Sequence, residues 1–159
     1  MRGFRHTSHR CHHRQVETSL AAGYALRAEP PPVDDYVHLR TAAGLRPKST
    51  AEARAALRGS WSCCHVVTAA GATVAMGRVI GDGGWYFLVA DMATEPVHQR
   101  RGLGSVVLAH LLADIRQRAP GEPYVTLTAD DAGRRLYAQA GFTPFTADQT
   151  GMQLVLRRG

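Results

Sequence analysis

The chain has 159 residues, enough for one domain with a substantial core, and its 45% apolar content is ordinary for a globular protein. No apolar run approaches the roughly 18 residues that a membrane-spanning helix needs, so a membrane protein is not expected. The net charge of +6 suggests nucleic acid, but Arg2, Arg5, Arg10 and Arg14 hold four of those charges before the first acid, Glu17, and the +2 that remains makes no nucleic-acid footprint.

Residues 1–20 are rich in Arg and His and poor in apolar side chains, so they read as a disordered basic leader; 21–159 read as one domain. The leader lacks the apolar core of a secretory signal, and His6, His9, Cys11, His12 and His13 offer metals no more than adventitious contacts. Cys11, Cys63 and Cys64 make neither a disulfide framework nor a zinc spacing, which predicts no metal and reduced thiols in a cytoplasmic protein. On a strand, neighbouring Cys63 and Cys64 point to opposite faces.

Tyr24–Glu29 alternates and stops at Pro30-Pro31-Pro32, which predicts a first strand. Asp34 or Asp35 is expected to cap a helix through Tyr36, Val37, Leu39 and Ala42, closed by Gly44. Ser49 or Thr50 caps a second, Ala51–Leu57. Three strands follow, Trp61–Thr68, Thr73–Ile80 and Trp85–Thr94, the last two joined by the turn-forming Gly81-Asp82-Gly83-Gly84. A helix from Leu103 carries Leu103, Val107, Leu111 and Ile115 on one face and stops at Pro120-Gly121. Tyr124–Thr128 reads as a strand and Asp131–Ala140 as a helix with Gly141 past its end. Phe142–Phe145 and Met152–Leu156 read as two closing strands.

The organising stretch lies between the aromatic strand and the long helix: Gln99-Arg100-Arg101-Gly102-Leu103-Gly104-Ser105. The first N–H groups of a helix lack intrahelical partners and sit at the positive end of its dipole. Glycines there let an anion approach the backbone, so a phosphate or pyrophosphate is the expected guest. No Walker loop is present, and Val107 occupies the third glycine position of a dinucleotide fingerprint.

Gln99–Gly104 fills the pattern Gln/Arg-x-x-Gly-x-Gly/Ala, and Leu136-Tyr137-Ala138-Gln139-Ala140-Gly141-Phe142 fills Leu-Tyr-x-x-x-Gly-Phe. In both motifs, and in their order, the chain resembles the GCN5-related N-acetyltransferases. The resemblance spans about residues 23–157 and is sharpest from Asp91 to Phe142. It implies an α+β fold with a mixed, mostly antiparallel sheet of about seven strands and about four helices. The implied order is β-α-α-β-β-β-α-β-α-β-β, with the sheet splayed between the fourth and fifth strands. It also implies acetyl-coenzyme A as co-substrate and direct acetyl transfer to a primary amine of a small molecule. The alternative is a non-catalytic module that senses acyl-coenzyme A.

By the same resemblance Gln99, Arg100, Arg101, Gly102, Leu103, Gly104 and Ser105 hold the pyrophosphate, while Met92, Ala93 and Thr94 offer backbone groups to the acetyl and pantetheine portions. Asp130 stands where many relatives place an Asn that contacts pantetheine; an ionised carboxylate cannot donate a hydrogen bond. Tyr137 is the candidate acid for the leaving thiolate, and Asp91 the candidate base, with Glu95 and His98 as rivals. Tyr36, Leu45, Trp85, Phe87 and Met152 are the candidate acceptor pocket. Homodimers are common among such relatives.

Overall fold

Proline begins the first helix. The computed structural model, which describes residues 20–156, places Pro32 at its N-cap with φ −50° and no side-chain cap. Residues 1–19 of the expected leader, 1–20, lie outside the described residues, and with them the disorder expected there, while Leu20 packs against the core. Asp34 and Asp35 fall inside the first turn instead of capping it, where they complement the helix dipole. The Asp35 carboxylate accepts from Thr73 Oγ1 at 2.5 Å, tying the helix to the sheet. Gly44, at φ +77°, ends this helix: its N–H donates to Thr41 O and that of Leu45 to Arg40 O, the paired bonds of a Schellman motif. Of the two cap candidates the second helix uses Ser49, in a capping box where Ser49 and Glu52 each bond the other's backbone N–H.

The elements run β1 (Tyr24–Arg27), α1 (Val33–Ala42), α2 (Thr50–Arg58), β2 (Ser62–Thr68), β3 (Thr73–Gly81), β4 (Tyr86–Thr94), a 3-10 turn (Pro96–His98), α3 (Leu103–Arg118), β5 (Tyr124–Thr126) and α4 (Arg134–Gln139). The strands lie in chain order in one sheet, antiparallel from β1 to β4, with β5 parallel to β4.

Two apolar clusters sandwich this sheet. On one face Val107, Leu108, Leu111 and Ile115 of α3 pack on Cys64, Val66, Val79 and Phe87. On the other Tyr36, Leu39, Ala53 and Leu57 of α1 and α2 pack on Cys63, Met76 and Ala93. Cys63 and Cys64 thus do face opposite sides, both as free thiols. Burial, then the neighbouring Cys63 and Asp114, pushes the Cys64 thiol up to about 12, which leaves it an inert core residue.

Among the described residues five strands form, not the seven expected. Phe142–Phe145 and Met152–Leu156 pair with nothing among the described residues; only a turn, Gln149 N–H to Thr146 O, links the two segments. Met152 is 95% exposed. A strand-like pattern says that a segment can pair, but a ladder also needs a neighbouring edge in register.

Two departures from a regular sheet shape the site. The β3–β4 register passes from Met76↔Ala93 to Arg78↔Ala90, so Gly77 is opposed by both Asp91 and Met92. This is a β-bulge, and Asp91 takes a left-handed φ of 55° in it. The β4–β5 pairing covers only Tyr86↔Tyr124 to Leu88↔Thr126. Beyond Leu88 the two chains diverge, which is the splay implied by the resemblance.

Candidate active site

A cavity of about 840 Å³ opens where β4 and β5 part, within the range of about 300–1,000 Å³ usual for small-molecule sites. One wall is β4 from Leu88 to Thr94; the opposite wall is Thr128, Ala129 and Asp130 with Gly133, Leu136 and Tyr137 around α4. Ala43 and Leu45, delivered by the Schellman turn of α1, close one end. At the other end lie Gln99, Arg100 and Gly102–Ser105, the glycine turn and the first turn of α3.

That turn is bare backbone where it meets the cavity. Gly102 is the N-cap of α3 at φ +78°, without a side-chain cap, and a Cβ there would meet nothing within 4 Å. Arg100 is also left-handed, at φ 58°. A Cβ on Gly104 would meet only Leu136 Cδ2 at 3.4 Å and Thr94 Oγ1 at 3.9 Å. Gln99 braces the turn by donating from Nε2 to Thr94 O at 3.2 Å. A helix N-terminus of this kind suits a diphosphate.

Of the residues expected to hold a cofactor, Met92, Ala93, Thr94, Gln99, Arg100, Gly102, Leu103, Gly104, Ser105, Asp130 and Tyr137 all line the cavity. Arg101 does not. Its guanidinium turns away to Tyr24 Oη at 3.0 Å and Val97 O at 3.4 Å, and Tyr24 Oη in turn pairs with His98 Nδ1 at 2.8 Å. Arg101 and His98 therefore fasten the turn to β1.

Asp130 Oδ1 accepts the Gly133 N–H at 2.6 Å and Asp130 O accepts that of Arg134, so this residue ties down the turn that leads into α4. In these two contacts Asp130 acts as an acceptor, which a carboxylate can do; it cannot, when ionised, donate to a ligand. Gly133 gives the Tyr137 ring its place: a Cβ would sit 2.9 Å from Tyr137 Cε2. Burial, reinforced by the Asp130 charge, raises the Tyr137 phenol above its ordinary value of 10.0, so it stays protonated at neutral pH.

Asp91 lines the cavity, but its carboxylate is held from behind. Tyr36 Oη donates to Oδ2 at 2.5 Å, Arg78 Nε donates to the same oxygen, and Arg40 Nη1 donates to Oδ1. Burial alone would raise this carboxyl; the hydrogen bonds from Tyr36 and Arg78 and the two positive charges outweigh it and hold it below the usual range. So held, it is a poor proton acceptor. Arg40 and Arg78 were not legible as site residues, because no spacing links positions 40, 78 and 91; only the packing of α1 on the bulge does. Glu95 is engaged with His38 at 3.1 Å.

The expected acceptor pocket separates. Leu45 lines the cavity, and Tyr36 reaches it through Asp91. Phe87 instead lies fully buried against Trp61. Trp85 is 60% exposed and clusters with Tyr86 and Tyr124 at the far end of the sheet. Met152 projects to solvent. Strand alternation tells which residues share a face, but not which face or end of the sheet carries the site. Among the described residues no group of His, Cys, Asp and Glu could hold a metal, and no helix is long and apolar enough to cross a membrane.

A family model described as an acetyltransferase (GNAT) domain matches residues 60–144. Among solved structures, a Staphylococcus aureus protein of unknown function described as a probable acetyltransferase is 31% identical, with a TM-score of 0.79 over 84% of this chain and 99% of that one. A GNAT-family acetyltransferase from Streptococcus pneumoniae is 25% identical, with a TM-score of 0.69 over 85% and 99%. The Escherichia coli ribosomal-protein-S18-alanine N-acetyltransferase shares the fold, at 20% identity and a TM-score of 0.65 over 77% and 79%. No curated protein matches the sequence. The family model spans more than half of the chain and the Staphylococcus aureus protein is 31% identical over most of both chains, so the chain belongs to the GNAT acetyltransferase family.

Proposed function

We propose that the protein transfers an acetyl group from acetyl-coenzyme A directly to a primary amine of a small molecule. The observation that carries this reading is the continuity of one cavity from the bare turn at Gly102–Ser105 to the protonated phenol of Tyr137 and on to Asp91 and Leu45. Acetyl-coenzyme A, when bound, supplies the thioester. The residues present fit it: the start of α3 would take its diphosphate, and β4 from Met92 to Thr94 would run along its arm.

The chain's own work is then positioning and proton handling. Holding amine and thioester side by side supplies much of any acceleration. A lysine-like amine, with a pKa of about 10.4, is nearly all protonated at neutral pH and must lose a proton before it can attack. With Asp91 ion-paired, that proton passes to water. Tyr137 gives its proton to the departing sulfur as the new C–N bond replaces the C–S bond; phenol and thiol have comparable proton affinity.

The test is release of coenzyme thiol from acetyl-coenzyme A against a library of amines. Amine-dependent release with a matching acetylated product is expected. Tight coenzyme binding without turnover on any amine would favour the acyl-coenzyme A sensor instead.

A further inference from the structure

Arg40 stands in the last turn of α1, where a basic side chain ordinarily faces solvent and complements the helix dipole. In this chain it turns inward, and its side chain is only 9% exposed. Every nitrogen of its guanidinium donates: Nε and Nη2 to Arg46 O at 3.3 and 2.9 Å, and Nη1 to Asp91 Oδ1. Its backbone carbonyl accepts the Leu45 N–H at 2.8 Å. The same residue thus grips the turn at 43–46 from its backbone and from its side chain, and fastens that turn to the bulge of β4. Tyr36, one helical turn earlier, keeps its ring centroid 5.8 Å from the guanidinium carbon and donates to the other Asp91 oxygen. What is fastened matters for the cavity. The turn carries Ala43 and Leu45, and both line the cavity together with Asp91, at the end away from the glycine turn. Loops ordinarily move more than the elements they join; the cavity-lining part of this one is pinned to the sheet through a buried guanidinium.

We propose that Arg40 is a positioning residue for the acceptor: its clasp from Arg46 O to Asp91 sets the room between Leu45 and the bulge, and so limits the length of the apolar body an amine can bring. The inference rests on the acyl-transfer reading of the same cavity and adds a selectivity to it. Arg40 is outside the cavity lining and acts through Leu45 and Asp91. The clasp needs an arginine. Its planar fork holds a carbonyl and a carboxylate at once in a fixed geometry, whereas a lysine ammonium is a point charge on a flexible stem. Displacing the turn by even about 1 Å is enough to spoil the alignment of a bound reactant.

The experiment uses the full chain with straight alkylamines from ethylamine to octylamine and with benzylamine, phenethylamine and phenylpropylamine. Three readouts are taken: kcat and KM for thiol release from acetyl-coenzyme A, calorimetric binding of coenzyme A, and amide hydrogen exchange at 43–46 and 90–92. In the unaltered protein kcat/KM is expected to fall about tenfold past a preferred length, the usual effect of a methylene that an apolar pocket does not admit. Arg40→Lys should raise KM for the preferred amine about tenfold and bring the longer amines within about threefold of it, with coenzyme affinity unchanged. Exchange at 43–46 and at 90–92 should rise together in that variant. Leu45→Ala leaves the clasp in place and enlarges the room beside it, so the preferred length should increase. Absence of a length preference in the unaltered protein, a parallel loss on all amines in Arg40→Lys, or unchanged exchange at 43–46 overturns the inference. If Arg40→Lys does not fold, Leu45→Ala decides, and an unmoved length preference overturns it. Coenzyme binding with transfer to none of these amines would refute the acyl-transfer reading, and the exchange measurement then decides the clasp by itself.

Discussion

Tyr137 and Asp91 both line the cavity, but their neighbours leave them with different proton affinities. Tyr137 is buried, faces Asp130 and lines the cavity, so its proton is available and held late. Tyr137→Phe is expected to lower kcat by about 100-fold with coenzyme affinity unchanged, the range for loss of one proton donor. Asp130→Asn retains an oxygen that can accept from Gly133 but removes the charge that adds to burial in raising the phenol. The alkaline limb of the pH–rate profile should therefore move to lower pH, which a kcat titration checks. An unmoved limb would separate Tyr137 from the titrating group.

At the scale of elements, the bulge and the glycine turn are both close-approach devices. Gly77 sits where α3 presses on β3: a Cβ there would lie 2.5 Å from Met92 Sδ and 2.8 Å from Val107 Cγ1. Gly77→Ala should cost about 1–3 kcal/mol of stability by overpacking, read from denaturant midpoints. It should also disturb Met92 on the cavity wall. Gly104 is different, because its missing Cβ faces side-chain atoms and the cavity, not backbone. Gly104→Val should fold normally yet weaken coenzyme binding by about tenfold or more, since the branched side chain occupies the approach to the N–H groups of α3. Unchanged affinity would refute the placement of the diphosphate.

Across the whole molecule, the Asp91 cluster joins α1, β3 and β4, so it is a stability element. Its carboxyl is held below the ordinary range despite burial. A carboxyl depressed in the folded state stabilises the fold in full above its unfolded value of about 3.9, and that contribution is lost as pH falls through the lower folded value. Glu52, lowered to about 2 by the Ser49 backbone N–H first and then by the Ser49 hydroxyl and Lys48, acts in the same direction. The thermal midpoint should therefore drop steeply between about pH 4 and pH 2. Asp91→Asn should flatten that drop and cost about 3 kcal/mol at neutral pH, because two buried guanidiniums lose their counter-charge.

Local chemistry was legible from the residues alone. The capping box at Ser49 and Glu52, the glycine turn at Gly102, the apolar face of α3 and the positions of β1 to β4 depend on neighbours a few residues apart, so the sequence by itself determined them. It also carried the two motifs whose residues line the cavity. What it could not determine were relations between distant elements: that Arg40 and Arg78 close on Asp91, that Arg101 turns to Tyr24, that Phe87 enters the core while Trp85 stays outside, and that the last two segments find no strand partner among the described residues. Those depend on packing one element against another, where sequence separation carries no distance. The tertiary structure therefore decided which side chains meet Asp91 and which residues line the cavity beside it.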